Sequence, residues 1–285
     1  MGNMDETPMW FDLPSNTSID FKGVKTIRSR TTGKEKLRYT VVLTVLSTGH
    51  KLPPMIIFRG LKKPPRGNFG DVVVSASKGG SMTNEFMKSE YLQKVWKARP
   101  GSIFKPSCVL TLDTARCHTH EDVKAEFEKE KTRLAYIPGG MTPLLQPLDS
   151  HLNKPFKDAN AMRRRWEEWL LNGDREYTRT GKRKGASYEM VAQWVSEAWR
   201  EMSRDIIKRS FIETGIQDCD GDEVLHSKLQ SLLAGTDPSE VDDDVEDSEA
   251  SDLENYTGES DSDNEKSGEE SSDNDSDIDC EIIDK

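Results

Sequence analysis

The sequence predicts an α/β fold built on a mixed sheet. Three observations carry this expectation. Strand-like segments come first with no helix between them, helix and strand then alternate, and only helical patterns close the run.

Residues 36–46, KLRYTVVLTVL, are rich in β-branched and aromatic side chains, which suit a pleated, half-buried surface. The turn formers of STGHKLP (47–53) end that strand. PMIIFRG (54–60) gives a second short strand and DVVVSAS (71–77) a third. Thr83 then opens 83–98, where Phe86, Tyr91, Leu92 and Val95 recur at roughly helical spacing, so an amphipathic helix is expected. SCVLTLD (107–113) is an apolar run ending in an acid, as in a buried strand. A charged helix over 119–131 and a strand over 132–138 follow. Helices are expected over 159–171 and 187–203. In the latter, Val191, Trp194, Val195, Ala198, Trp199 and Met202 fall on one face, and this stripe is read as core.

The chain has 285 residues and a formal charge of −11, which is unevenly spread. Residues 237–285 carry 22 acidic and 2 basic side chains, a net of −20. Residues 1–236 then hold 38 basic against 29 acidic, a net of +9. A basic body with an acidic appendage suggests a nucleic-acid-facing domain. The appendage is poor in large apolar groups and is expected to be disordered, because it cannot offset chain entropy. Its SGEESSDNDSD stretch (267–277) is an expected target of acid-directed kinases. Cys108, Cys117, Cys219 and Cys280 show no CxxC spacing, which argues against a disulfide framework or a structural zinc site and fits a reducing compartment. No apolar run approaches ~18 residues, so no membrane span is expected. The start, MGNMDETPMW, reads as neither a signal peptide nor a myristoylation site, since Glu6 stands where Ser or Thr is wanted.

Three isolated acids sit at junctions. Asp5 lies in NMDET, Asp113 ends an apolar strand, and Asp149 follows Pro147 at a helix start. Asp149 alone reads as a helix cap. Brought together, the three would repel and would need bound cations, and hard divalent ions take such carboxylate oxygens. Cys117, His118 and His120 are close in sequence but lack a second ligand pair for zinc. The basic runs at 22–36, 163–166 and 181–185 offer phosphate contacts, although most such runs are solvated surface.

The segments NMDET (3–7), LTLDTARCH (110–118) and LLQPLDSHLNKPFK (144–157) resemble the three motifs of pogo/Tigger-type DDE transposases, a superfamily that includes jerky and centromere protein B. Residues 46–60 resemble the family's second and third strands, and 191–216 its closing helices; the resemblance spans roughly 3–220. It implies an RNase H-like mixed sheet flanked by helices, with a helical C-terminal part and a disordered acidic tail. The expected organisation is an endonuclease-like domain over 1–220, a linker or short helix over 221–236, and the tail over 237–285.

By motif position the resemblance implies that Asp5, Asp113 and Asp149 form the catalytic triad and bind two Mg²⁺ or Mn²⁺ ions. His118 is an accessory candidate, and Lys22, Lys25, Arg28, Arg30, Lys154 and Lys157 are candidate nucleic-acid contacts. Thr114 follows Asp113 where the family usually has Asn, and only four residues precede Asp5, so a shortened first strand is expected. No end-reading helix-turn-helix region is expected in this chain. Two functional expectations follow. One is a metal-dependent endonuclease or strand-transfer domain acting on DNA. The other is an inactive, domesticated nuclear DNA- or chromatin-binding protein whose acidic tail engages histones or other basic partners.

Overall fold

The computed structural model describes residues 1–14, 31–104, 106–157, 161–179, 181 and 183–216. The expected linker and acidic tail, and the candidates Lys22, Lys25, Arg28 and Arg30, lie outside the described residues.

Six strands form one mixed sheet: β1 (Gly2–Trp10), β2 (Arg38–Leu46), β3 (Met55–Arg59), β4 (Val73–Ser77), β5 (Cys108–Leu112) and β6 (Thr132–Tyr136), in the order β4-β3-β2-β1-β5-β6. The first three pair antiparallel in succession, whereas β3–β4, β1–β5 and β5–β6 run parallel. The helices are α1 (84–98), α2 (Arg116–Thr119), α3 (Glu121–Lys129), α4 (Thr142–Leu145), α5 (148–157), α6 (Met162–Asn172), α7 (Tyr188–Glu201) and α8 (Arg204–Glu213). This is the expected RNase H-like arrangement.

The expected short first strand is corrected. β1 runs nine residues, with all nine paired to β2, and Asp5 stands inside it opposite Leu43. Its polar NMDET segment hides the strand from a reading based on apolar alternation. What holds it is the ladder to β2 along its whole length, joined by β5 at Gly2 and Asn3, since pairing satisfies the backbone groups. At its start the packing is close: a Cβ on Gly2 would lie 2.8 Å from the Trp96 ring, so only glycine fits under that indole.

Two apolar layers cover the sheet. Side chains alternate along a strand, and β2 shows this directly: Val41, Leu43 and Val45 join one cluster and Val42 the other. The first cluster takes Leu148, Leu152 and Phe156 of α5, Met162 and Trp166 of α6, the α7 stripe, and Ile207 and Phe211 of α8. The second takes Met87, Tyr91, Leu92, Val95 and Trp96 of α1 with Val123 and Phe127 of α3. The α7 stripe is therefore core, as expected. Ser187 caps α7 by accepting the Met190 N–H, and Ser203 caps α8 from Asp205. The 84–98 segment is one helical run that widens into π-type turns over Met87–Val95 and tightens at Trp96–Ala98.

Candidate functional site at the β1–β5 edge and α5

Three structural pieces converge around β1. Asn3 pairs in register with Thr111 on β5. The parallel pairing stops there; Asp5 follows two residues later inside β1, and Asp113 two residues later, just past the end of β5. The third piece is α5, fastened by Asn3, whose Oδ1 accepts the Leu148 N–H at 3.1 Å. The same buried side chain donates Nδ2 to the Thr111 carbonyl and hydroxyl at 3.1 and 3.2 Å. One amide thus ties β1, β5 and the start of α5 together.

That fastening brings Asp149 to Asp5. Asn153, one turn after Asp149 on α5, donates Nδ2 to Asp5 Oδ2 at 2.6 Å and to Asp149 Oδ1 at 2.7 Å. Burial and the adjacent Asp149 charge hold the Asp5 carboxyl well above its usual range. The capping reading of Asp149 is corrected: Pro147 precedes the helical run, no side-chain bond caps it, and the Asp149 carboxylate accepts from Asn153 instead. Its place in the first turn still suits the helix dipole.

Asp113 is held differently. Its Oδ1 accepts the Ala115 N–H at 3.0 Å, closing the turn into α2, and lies 2.6 Å from His118 Nδ1. His118 Nε2 lies 2.9 Å from Glu6 Oε1. The imidazole therefore bridges the carboxylate after β5 to the one next to Asp5 on β1. Burial alone would lower its affinity for a proton, but hydrogen bonds to Asp113, Cys117 and Glu6 outweigh that and push it up to about 12. The His118 hydrogen bond, working against desolvation, in turn holds Asp113 below the ordinary carboxylate range.

Glu6, Cys117 and His118 each offer a ligand atom, all within 4.8 Å of one another. Glu6 thus takes the third place that His120 would need for zinc. Both His118 nitrogens, however, are already engaged by carboxylates, so the ring serves here as a charged donor.

The remaining candidates fall elsewhere. Lys154 is exposed and Lys157 half-buried on α5, beyond Asn153. The 163–166 run is largely internal wiring. Arg164 and Arg165 pair with Glu201, and Arg165 also with Glu197. Arg183 donates to the Leu170 and Trp169 carbonyls. Sequence reasoning missed Asn3, Glu6 and Asn153. The signals were faint: a polar residue two before Asp5, an acid beside it, and an amide at i+4 from Asp149.

The family described as DDE superfamily endonuclease matches residues 36–211, a span that includes Asp113 and Asp149 and begins after Asp5. A Mus musculus protein described as "Pogo transposable element with KRAB domain" is 37% identical over 211 residues, covering 74% of this chain and 34% of its own length. The Homo sapiens protein of that description is 35% identical over 240 residues, covering 84% and 39%. The chain thus spans little more than a third of these relatives. Among solved structures, a Mos1 transposase paired-end complex with left transposon end aligns with a TM-score of 0.51 at 14% identity, covering 79% of this chain and 54% of that one. The Mos1 mariner paired end complex with Mn aligns with a TM-score of 0.52 at 14% identity, with the same coverage. These two show the fold, and the sequence matches show the kinship: the chain belongs to the DDE superfamily endonuclease family, within its pogo branch.

Proposed function

We propose that this domain acts on DNA phosphodiesters, with Asp5, Asp113 and Asp149 holding two Mg²⁺ or Mn²⁺ ions. The observation that carries the reading is the Asp5–Asn153–Asp149 arrangement, two carboxylates brought onto one amide with Asp5 forced toward its protonated form. Such a pair is electrostatically uncomfortable without a cation. The donor set fits a hard ion, because carboxylate oxygens are the ligands Mg²⁺ and Mn²⁺ prefer. Asp113 adds an oxygen: its Oδ1 is engaged, and Oδ2 has no hydrogen-bond partner among the described residues.

Asp5, Asp113 and Asp149 would hold the ions, whose chemistry would be to activate a water or hydroxyl nucleophile and to steady the leaving oxygen of a phosphodiester. The chain's own residues do the rest. Asn3 fixes the spacing of the two strands and α5, and Asp5 gives up its proton on loading. His118 holds Asp113 ionised and oriented while balancing the charge of Glu6. Exposed Lys154 lies on the same helix as Asp149, where it would meet phosphate. One neighbour that carries the fold is, by its description, a transposase paired-end complex with a transposon end, which supports a DNA substrate for this chain; a nuclear location is part of the same proposal. The acidic residues 237–285 would engage basic partners such as histones.

A second reading, a DNA- or chromatin-binding domain without cleavage, is favoured by one observation. Asp113 is already committed through Oδ1 to His118 and Ala115. Calorimetric titration of the full chain with Mn²⁺, beside Asp149→Asn, tests the cation site; no binding by the wild type sinks the metal-dependent reading. Nicking of supercoiled plasmid in Mn²⁺, lost in Asp113→Asn, selects the first reading. Binding without nicking selects the second.

A further inference from the structure

Asn153 does more than fasten a helix. Its side chain is 7% exposed, its Nδ2 spans Asp5 and Asp149, and its Oδ1 is buried with no hydrogen-bond partner among the described residues. A buried amide oxygen without a partner is costly and calls for an explanation. The orientation itself follows from chemistry. Even with a proton on Asp5, each carboxyl keeps an oxygen that accepts from the amide, so Nδ2 faces them and Oδ1 faces away. A cation between the carboxylates reverses that logic, because it repels the N–H₂ group and attracts the carbonyl.

We propose that Asn153 is an exchangeable placeholder and ligand of the cation site: without an ion it bridges Asp5 and Asp149, and with one it turns its amide to present Oδ1. This inference rests on the cation reading above and deepens it. The amide is well placed for the exchange. It lies at i+4 from Asp149 on α5, so the two side chains share a helix face. Turning about the last side-chain bond moves no backbone, since that torsion is broad and roughly two-fold. An amide oxygen is also a ligand that hard divalent ions accept.

The test uses the full chain and two readouts that need no catalytic activity. The first is Mn²⁺ affinity by calorimetry for wild type, Asn153→Ala and Asn153→Asp, each checked for native circular dichroism. A ligand predicts at least tenfold weaker binding in Asn153→Ala and recovery in Asn153→Asp, which restores an oxygen. A bridge that only competes with the ion predicts tighter binding in Asn153→Ala, and equal or tighter binding there overturns the proposal. The second readout covers the case in which these variants fail to fold. In the wild type, the Asn153 side-chain N–H₂ resonance, assigned by selective labelling, should shift and exchange faster with solvent on saturation with diamagnetic Mg²⁺. An unchanged resonance at saturation overturns the proposal while leaving the cation site intact. Absence of any ion binding by the wild type removes the site and this inference together.

Discussion

Asn3 holds Leu148: the Asn3 Oδ1 accepts the Leu148 N–H at 3.1 Å across 145 residues of sequence. Because its Nδ2 is spent on Thr111, the side chain links β1, β5 and the start of α5. Replacing Asn3 by Leu keeps the approximate size but leaves the Leu148 N–H buried without its acceptor. The expected loss is about 2–3 kcal/mol, the penalty of an orphaned buried donor and a broken amide bond. Denaturant unfolding of Asn3→Leu measures it. The Mn²⁺ response should weaken as well, because α5 loses its anchor. A loss under about 0.5 kcal/mol would show that the contact is incidental.

Much of the fold was legible because its elements obey strong periodicities. The α7 stripe from Val191 to Met202 and the apolar run of β5 announce helix and strand without reference to anything distant. β1 did not announce itself. Its NMDET segment is polar, and its strand identity comes from its pairing with β2 along all nine residues and with β5 at Gly2 and Asn3. The three acids were legible as motif positions, whereas their supports were not. Asn3, Glu6 and Asn153 act through contacts spanning 108 to 148 residues, or through a helix face whose partner is distant, and local spacing carries no record of such contacts.

The Asp5–Asp149 pair has a predictable pH signature. Burial and the Asp149 charge raise the Asp5 carboxyl in the folded state above the 3.8 of an unperturbed group. Stability from protonated Asp5 is therefore fully present below about pH 4 and is lost as pH rises through the elevated folded value. At neutral pH the cation-free pair is a net liability. Asp5→Asn should then leave the cation-free protein no less stable at pH 7, and more stable if repulsion dominates. It should also abolish the Mn²⁺-dependent rise in melting temperature. The wild-type Mn²⁺ shift should grow with pH, since loading expels the Asp5 proton. Thermal melts between pH 5 and 8, with and without Mn²⁺, check both; a pH-independent shift argues that Asp5 is outside the site.

Trp199 couples the core to the site. Its indole N–H donates to the Leu52 carbonyl at 2.8 Å, and its ring meets Phe156 of α5 edge-on, with centroids 6.1 Å apart. Trp199→Ala should cost about 3–5 kcal/mol as a large core deletion. Trp199→Phe keeps most of the apolar area but orphans the Leu52 carbonyl, costing about 1–3 kcal/mol. Chemical denaturation separates the two. Equal losses would assign the whole effect to the hydrogen bond rather than to packing.

The last expectation concerns His118, clamped between Asp113 and Glu6 with its proton retained up to about 12. An ordinary histidine, as in the unfolded chain, releases that proton near 6.5. Because the folded value is raised, the clamp's contribution is complete below about pH 6.5. It declines as pH climbs toward 12, by at most about 1.4 kcal/mol per pH unit. His118→Gln keeps a hydrogen-bonding amide but removes the charge, leaving the buried edge of the Asp113–Glu6 pair without a cation. The variant's deficit against wild type should therefore be largest near pH 6 and shrink steadily by pH 9. Asp113, no longer held below its usual range by His118, should titrate higher in the variant. Urea unfolding of both proteins at pH 6, 7.5 and 9 measures the first effect, and carboxyl-carbon NMR of Asp113 measures the second. A deficit that stays constant across that range would mean His118 is neutral in the folded protein and bridges the two strands by hydrogen bonds alone.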